Sequence, residues 1–307
     1  MTKPQPRWLE PMKATLTKDY FSNPEWVYEP KLDGIRLLAY KSGSDVRLLS
    51  RNKLDLNAAY PEVREALGAQ KGDFILDGEV AAVEGGRTSF SLLQQARRRT
   101  VAVRYFVFDI LFHDGKDLRK RPLLERKALL QRELRWRKPL EFVEHIEADG
   151  ELFYQAACEQ GLEGVIAKRA TSAYSGSRSK DWLKFKCSNE QEFVVGGFTD
   201  PQGARSGFGA LLVGCYDGDE LRYAGKVGTG YNERTLLDIR KKLDRLEVDR
   251  PTFTERGIRR KDVHWVKPKL VAQVAFAEWT TDGRLRHPRF LGLRNDKAAG
   301  EVVRERA

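Results

Sequence analysis

The chain has 307 residues, of which 41% are hydrophobic, so it can form two domains with apolar cores and intrinsic disorder is not expected. Basic side chains outnumber acidic ones by 33 to 26 in residues 1–188 and by 22 to 18 in residues 189–307, for a net charge of +11. Two basic halves favour a polyanion bound between them, although a soluble protein with a high pI explains the charge equally well.

The three cysteines, Cys158, Cys187 and Cys215, show no C-x-x-C spacing. An odd number without that spacing argues against a disulfide framework and against a cysteine zinc site, and it suits a reducing cytosol. The sequence has no run of 18 apolar residues and begins without the apolar segment of a signal peptide. We therefore expect a cytoplasmic protein that does not cross a membrane.

Strand-like segments and short helices alternate through the first 188 residues. Residues 26–40 and 46–51 predict two strands joined by a polar turn at 42–45. Further strands are predicted at 74–83, 103–112, 140–146, 164–170 and 182–187. Helices are predicted at 57–67 with Asn57 as the cap, 89–97, 122–134 and 151–160. Since many strands follow one another through short turns, the sequence predicts an α+β fold of largely antiparallel sheets flanked by helices.

After about residue 188 the predicted strands become shorter and richer in glycine. Three strands are predicted in the stretches EFVVGGFT, GALLVGCYD and LRYAGKVG. A helix at 232–247 and two strands, LVAQVAFAEWT and RLRHPRFLGLR, follow. About five short strands and one helix are typical of a small oligonucleotide-binding (OB) fold β-barrel. The sequence therefore predicts two domains, 1–188 and 189–307.

Lys31 lies between two carboxylates, Glu29 and Asp33, in the stretch EPKLDGIRLLAY (29–40). A free lysine has a pKa of about 10.4, so only about one in 2,500 is neutral and nucleophilic at pH 7. Carboxylates raise this pKa, so a nucleophilic Lys31 requires burial or cations from distant parts of the chain. The alternative is a surface lysine paired with Glu29 or Asp33.

Six further segments place charged or aromatic residues beside predicted strands: SRN (50–52), DGE (77–79), FVFD (106–109), EGVIAKR (163–169), WLKFK (182–186) and RNDK (294–297). With KLDGIR (31–36), and in this order, they resemble the motif series of covalent nucleotidyltransferases, which include ATP-dependent DNA ligases, RNA ligases and mRNA capping enzymes. The resemblance is strongest to bacterial ATP-dependent DNA ligases, above all the ligase module of the non-homologous end-joining ligases. This stronger likeness lies in GGFTDPQGARSGFGALLVGCYD, LRYAGKVGTGY and EWTTDGRLRHPRFLGLRNDK.

The resemblance implies a nucleotidyltransferase (adenylation) domain followed by the OB-fold domain, and an enzyme that seals 5′-phosphate/3′-hydroxyl nicks or breaks in double-stranded DNA. Lys31 would take AMP from ATP, the AMP would pass to the 5′-phosphate, and the 3′-hydroxyl would displace it. Lys184 and Lys186, at alternate positions of one strand, would bind the α-phosphate and lower the pKa of Lys31.

The same resemblance implies roles for other residues of the first domain. Glu163 would bind Mg²⁺ or Mn²⁺, while Glu79 would contact the ribose or be a second metal neighbour. Phe108 would stack on the adenine, with a plain core phenylalanine as the alternative, and Arg51 would contact sugar and phosphate. Three further residues would act nearby: Glu29 at the adenine edge, through its backbone carbonyl, and Arg36 and Arg178 at the nick phosphate or in structural roles.

In the second domain, the resemblance implies that Arg294, Asp296 and Lys297 orient the departing pyrophosphate during the first step only. The barrel would then rotate about a hinge near residues 187–190 to grip DNA. Double-strand-break repair by end joining, a Ku-type end-binding partner, a monomeric state and a nucleoid location are further expectations. The alternatives are an RNA ligase, an mRNA capping guanylyltransferase, or a non-catalytic nucleic-acid-binding protein.

Overall fold

The computed structural model describes residues 4–85, 87–95, 101–203, 205–254, 258 and 262–305. They form two compact units, and the division lies between Cys187 and Ser188. Each unit has hydrophobic cores of its own. Within the described ranges, no helix is long and apolar enough to span a membrane.

The first unit contains two mixed sheets and four helices in its described part. Its strands are β1 (Lys13–Leu16), β2 (Trp26–Pro30), β3 (Ile35–Ser42), β4 (Asp45–Ser50), β5 (Phe74–Glu84), β6 (Arg87–Ser89), β7 (Ala102–His113), β8 (Lys116–Asp117), β9 (Leu140–Phe142), β10 (Ile146–Glu147), β11 (Gly164–Arg169) and β12 (Arg178–Lys186). Its helices are α1 (Pro61–Gly68), α2 (Phe90–Gln95), α3 (Leu123–Glu133) and α4 (Gly150–Glu159).

These elements are layered. A five-stranded sheet has the order β1-β12-β11-β2-β10, and a seven-stranded sheet has the order β4-β3-β5-β7-β8, with β6 beside β5 and β9 beside β7. Only β1·β12 and β7·β9 are parallel among the described pairs of this unit. One core, which includes Leu38, Ile75 and Trp182, lies between the two sheets, while the others lie beneath the flanking helices.

The second unit is an antiparallel sheet structure around one core. Its elements are β13 (Asn189–Thr199), β14 (Leu211–Asp217), β15 (Glu220–Val227), α5 (Glu233–Asp244), β16 (Glu247–Val248), β17 (Val263–Val266), β18 (Val271–Phe276), β19 (Glu278–Trp279), β20 (Leu285–Arg286), β21 (Arg289–Arg294) and a 3₁₀ turn (Ala299–Glu301). Strand β13 pairs with β14, β17 and β18, and α5 contributes Leu236, Ile239 and Leu243 to the core of this unit. The predicted fold class, α+β with a C-terminal OB-like domain, is confirmed.

Several predicted boundaries are wrong. The strand predicted at 26–40 is two strands in different sheets, β2 and β3, because the chain crosses between the sheets at residues 31–34. Helix α1 begins at Pro61, and Asn57 does not cap it, since the Asn57 side chain accepts a hydrogen bond from the Leu48 amide instead. The last two residues of the helix predicted at 89–97 lie outside the described residues.

Gly34 explains why the crossing between the sheets tolerates only a small residue. A Cβ atom at this position would lie 2.2 Å from the carbonyl oxygen of Val80 in the neighbouring strand. Such a contact forces the backbone to shift. The glycine of KLDGIR therefore allows the close approach of backbone to backbone that places Lys31 between the sheets.

The expectation of no disulfide is wrong for one pair. Cys158 at the end of α4 and Cys187 just after β12 form a disulfide, and Cys215 is free and buried. No local pattern indicates this pair, because the two residues are 29 positions apart and meet only when α4 packs against β11. The bridge closes a loop that contains both β11 and β12.

We expect reduction of this disulfide to destabilise the first unit. A closed loop of 29 residues restricts the unfolded chain, which corresponds to about 3.5 kcal/mol in the chain-entropy description. A Cys158→Ser/Cys187→Ser variant should therefore unfold at a lower denaturant concentration than the oxidised protein. It should unfold at the same concentration as the reduced protein. Thiol titration in denaturant should find one free thiol without reductant and three with it; three in both samples would contradict the pairing.

Candidate functional site

The predicted residues of the first unit gather on one face of the five-stranded sheet. The Lys31 amide bonds to the carbonyl oxygen of Gly164 at 2.9 Å, which brings Lys31 into register with β11 and β12. Residues opposite one another across paired strands point to the same side of a sheet. Three such rows result: Lys31, Gly164 and Lys186; Glu29, Ile166 and Lys184; Val27, Lys168 and Trp182.

This face looks towards the seven-stranded sheet. Trp182 belongs to the core between the sheets, and the guanidinium of Arg36 on β3 lies 5.8 Å from its ring centroid. Across the seven-stranded sheet, Arg36 pairs with Glu79 and Glu79 pairs with Phe106. The space between the two sheets is therefore lined by lysines on one side and by Glu79 and aromatic rings on the other.

Lys31 is not activated in this structure. Its Nζ atom donates to the Glu163 carboxylate in a very short contact. Burial alone would lower the pKa of Lys31, but Glu163, followed by Asp33 and Glu79, raises this pKa to about 12. The charges that act most strongly on this ammonium group are three carboxylates, and the lowering of its pKa by Lys184 and Lys186 stays a prediction.

The two predicted metal-binding acids, Glu163 and Glu79, both act electrostatically on the ammonium group of Lys31. Glu163 contacts Lys31, and Glu79 is among the negative charges acting on it. Two carboxylates converging on a cation provide the hard oxygen ligands that Mg²⁺ and Mn²⁺ prefer. Within the described ranges, no cluster of three or more His, Cys, Asp or Glu side chains is arranged as a metal site, so other ligands would be water and phosphate oxygens.

Arg36 is held by a buried carboxylate beside the site, and its role at the nick phosphate stays a prediction. Its Nε and Nη2 atoms each lie 2.5 Å from a carboxylate oxygen of the fully buried Asp77, and Nη2 also donates to the Met12 carbonyl. Tyr174 donates to the same carboxylate at 2.5 Å. Burial lowers the pKa of Arg36, but Asp77 outweighs it and raises this pKa overall. Arg36 is thus committed to Asp77 at the wall of the site.

Phe108 lies in the core between the sheets rather than on an open surface. It is 8% exposed, and its ring centroid is 4.7 Å from the Arg36 guanidinium and 4.2 Å from Lys168 Nζ. Phe106 lies on the same strand as Phe108, opposite Glu79 of β5, and it is more exposed than Phe108. The stacking role of Phe108 stays a prediction, and the core alternative describes its present surroundings.

The two remaining predicted arginines differ in their contacts. The Nε atom of Arg51 is buried and has no hydrogen-bond partner among the described residues. This leaves it able to bind an acceptor such as a sugar or phosphate oxygen. Arg178 is exposed and donates to the carbonyl oxygen of Ala14 at 2.6 Å, so it ties the parallel pair β1·β12 together.

A buried ionic group beside Lys31 was not predicted from the sequence. The Glu29 carboxylate accepts hydrogen bonds at 2.5 Å from both Lys127 of α3 and Lys168 of β11. Burial would raise the pKa of Glu29, yet the two lysines lower it. Burial lowers the pKa of Lys168 to about 8 despite Glu29, because Lys127 is a second nearby cation. The group fixes β2, the strand that ends just before Lys31, to α3 and to β11.

One signal in the sequence could have revealed this group. The buried positions of α3 follow helical spacing, and they are Leu123, Arg126, Lys127 and Leu130. Two basic residues on the core face of a helix indicate buried acids as partners. Arg126 accordingly binds Asp109 through two hydrogen bonds of 2.8 Å, and both side chains are fully buried.

The predicted residues of the second unit form two ion pairs. Arg294 binds Asp296 through two hydrogen bonds of 2.9 and 2.8 Å, and Lys297 binds Glu192 at 2.8 Å. Asp296 is buried and holds the guanidinium in place. Arg294 and Lys297 are therefore positioned cations at the end of β21.

Two family descriptions match the chain. Residues 11–186 match the "ATP dependent DNA ligase domain", and residues 204–297 match the "ATP dependent DNA ligase C terminal region". The first match covers more than half of the chain, and the two matches fall within the two compact units.

Individual proteins are similar over nearly the whole chain. The multifunctional non-homologous end joining protein LigD of Pseudomonas aeruginosa is 42% identical, over 99% of this chain and 37% of that protein. The LigD protein of Mycobacterium tuberculosis is 40% identical, over 97% of this chain and 40% of that protein. Among solved structures, mycobacterial DNA ligase D complexed with ATP and MES matches with a TM-score of 0.69 at 37% identity, over 97% of this chain and 98% of that one. The chain thus spans about two fifths of the curated relatives it matches.

Proposed function

Because the chain belongs to the ATP-dependent DNA ligase family, we propose that it seals 5′-phosphate/3′-hydroxyl nicks and breaks in double-stranded DNA through a lysyl-AMP intermediate. The observation that carries this proposal is the position of Lys31, partly buried between two sheets and held by Glu163. Lys184 and Lys186 lie on the same sheet face. A non-catalytic binding protein has no need of a nucleophile held in this way.

In the first step, Lys31 Nζ attacks the α-phosphate of ATP, a P–N bond forms and pyrophosphate leaves. Lys184 and Lys186 stabilise the charge that develops on the phosphoryl oxygens. Lys31 must lose its proton first, and the resting carboxylates oppose this loss. A Mg²⁺ or Mn²⁺ ion bound by Glu163 and Glu79 would supply positive charge against those carboxylates and against the phosphates.

The DNA steps follow from the chemistry of the intermediate. AMP passes from Lys31 to the 5′-phosphate of a nick, and the 3′-hydroxyl then displaces it to form the phosphodiester bond. The net charge of +11 suits the phosphate-rich substrate. Arg294 and Lys297 are positioned cations in the second unit, and we assign them to the orientation of pyrophosphate in the first step.

End joining is the proposed setting of this reaction, because the relatives are named as end-joining proteins. The chain corresponds to part of those proteins, so repair of double-strand breaks, a Ku-type end-binding partner, a monomeric state and a nucleoid location are proposals. Mass measurement in solution tests the monomeric state, and pull-down with a purified end-binding protein tests the Ku-type partner. Both should follow the enzymatic assay.

The deciding experiment is covalent labelling. We expect incubation with ATP labelled at the α-phosphate to leave label on the protein, and with GTP to leave none. Addition of nicked DNA should then discharge the label and seal the nick. Label from GTP alone would favour the capping alternative, and sealing of RNA nicks without DNA sealing would favour an RNA ligase.

Removal of the second unit separates its proposed role in the first reaction step and in DNA binding from the roles of the first unit. A protein ending at residue 188 keeps Lys31, Lys184 and Lys186 but lacks Arg294 and Lys297. We expect it to form lysyl-AMP from ATP at least about a hundredfold more slowly, as for loss of an oriented charge contact. It should retain sealing of a nick that already carries AMP, with weaker and more salt-sensitive DNA binding.

Circular dichroism of the truncated protein provides the control for folding, since the first unit has its own cores. Normal formation of lysyl-AMP together with normal DNA affinity would show that the second unit has neither proposed role. The double variant Arg294→Ala/Lys297→Ala in the full chain should reproduce the loss in the first step without the loss in DNA affinity.

A further inference from the structure

The position of the base within the site follows from the position of Lys31, and this step rests on the proposed function. Lys31 meets the α-phosphate, and the base of a nucleotide lies one sugar away. Two strand residues span about 7 Å, a distance on the scale of that sugar. Glu29 lies two residues from Lys31, and the rings of Phe108 and Trp182 each lie 4.2 Å from Nζ of its partner Lys168. The base therefore belongs at the Glu29 row.

His145 extends this row on the outermost strand of the sheet. It directly precedes β10, which pairs with β2 so that Ile146 lies opposite Tyr28. Continuing the antiparallel register by one residue places His145 opposite Glu29. Lys127, which binds Glu29, also donates to the Val143 carbonyl at 2.8 Å, two residues before the histidine.

The ring of His145 has an unused nitrogen. Its Nδ1 atom is buried and has no hydrogen-bond partner among the described residues. Burial, followed by the positive charge of Lys127, lowers the pKa of His145, while Glu29, Glu147 and Glu144 act in the opposite direction. The ring is therefore neutral at pH 7, and one of its two nitrogens is an acceptor.

We propose that His145 is a base-specificity residue of the nucleotide site, whose Nδ1 lone pair accepts a hydrogen bond from the 6-amino group of adenine. The proton of the neutral ring then lies on Nε2. Guanine carries an oxygen at this position, so two acceptors would face each other and both would stay unpaired. The Glu29–Lys127–Lys168 group positions β2, which carries Glu29, and β11, which carries Lys168, beside the proposed base.

Three triphosphates test the hydrogen bond: ATP, purine riboside triphosphate, which lacks the 6-amino group, and GTP. For the unmutated protein, we expect covalent labelling with purine riboside triphosphate to be about three- to tenfold less efficient than with ATP, the effect of one neutral hydrogen bond. His145→Ala should lower the efficiency with ATP by a similar factor and leave purine riboside triphosphate unchanged. The ratio of the two should then approach one.

His113→Ala is the matched control, because this histidine lies at the end of β7 beside Asp114 rather than in the Glu29 row. It should keep the full preference for ATP. Equal losses of His145→Ala with both substrates would assign His145 to the fold and overturn the proposal. If that variant does not fold, an ATP preference below about twofold in the unmutated protein also overturns it. Failure to label with any triphosphate would instead overturn the proposed function.

Discussion

Lys31→Arg should form no detectable lysyl-AMP and should seal no nick from ATP, a loss of more than about ten-thousandfold. Arginine keeps the positive charge that binds Glu163, but its guanidinium stays protonated in proteins and cannot attack phosphorus. The ion pair with Glu163 is preserved, so the melting temperature should change little. The measurement is transfer of labelled AMP to the protein, followed by sealing of nicked DNA.

Two controls make this result specific to the nucleophile. Lys180→Arg, an exposed position on β12, should label and seal like the unmutated protein. Lys31→Arg should also still seal a nick that already carries AMP on its 5′-phosphate, because that step needs no lysine nucleophile. ATP-dependent sealing by a pure Lys31→Arg sample would refute the central proposal.

Glu163→Ala should be nearly inactive in self-adenylation, with a loss of about a thousandfold or more. Two effects of this change oppose each other. Removing the carboxylate lowers the pKa of Lys31, which favours the nucleophilic form. It also removes a hard oxygen ligand from a metal whose charge stabilisation is worth several kcal/mol, and this loss is the larger effect.

The rate of labelling measured across a range of Mg²⁺ concentrations separates these two effects. We expect the deficit of Glu163→Ala to be greatest at low Mg²⁺ and to shrink as the ion is added. Glu62→Ala, in the exposed first turn of α1, should behave like the unmutated protein. A Glu163→Ala variant that labels normally at low Mg²⁺ would remove Glu163 from the metal role.

The features that the sequence could predict are local ones. Apolar segments identified β5 and β7, the proline at its start identified α3, and helical spacing identified α5. The strand predicted through residues 26–40 was wrong, because its apolar pattern continues across Lys31 while the chain changes sheets. The close approach at Gly34 that causes this change depends on Val80, far along the chain.

Long-range pairs account for what was missed in the site. Glu29 binds Lys127 and Lys168, which are 98 and 139 positions away. The basic residues on the core face of α3 indicated buried acids but could not say which ones. The raised pKa of Lys31 could not be predicted for the same reason, since Glu163 and Glu79 reach it from distant parts of the chain.

The raised pKa of Lys31 has a consequence for unwanted chemistry. At pH 7 an amine with a pKa of about 12 is neutral in only about one molecule in a hundred thousand. Aldehydes, acyl phosphates and other electrophiles react with neutral amines, so they should modify this lysine far more slowly than ordinary surface lysines. Mass spectrometry after mild acetylation should therefore find Lys31 among the least modified lysines, and the proposed nucleophile would stay unmodified until ATP binds.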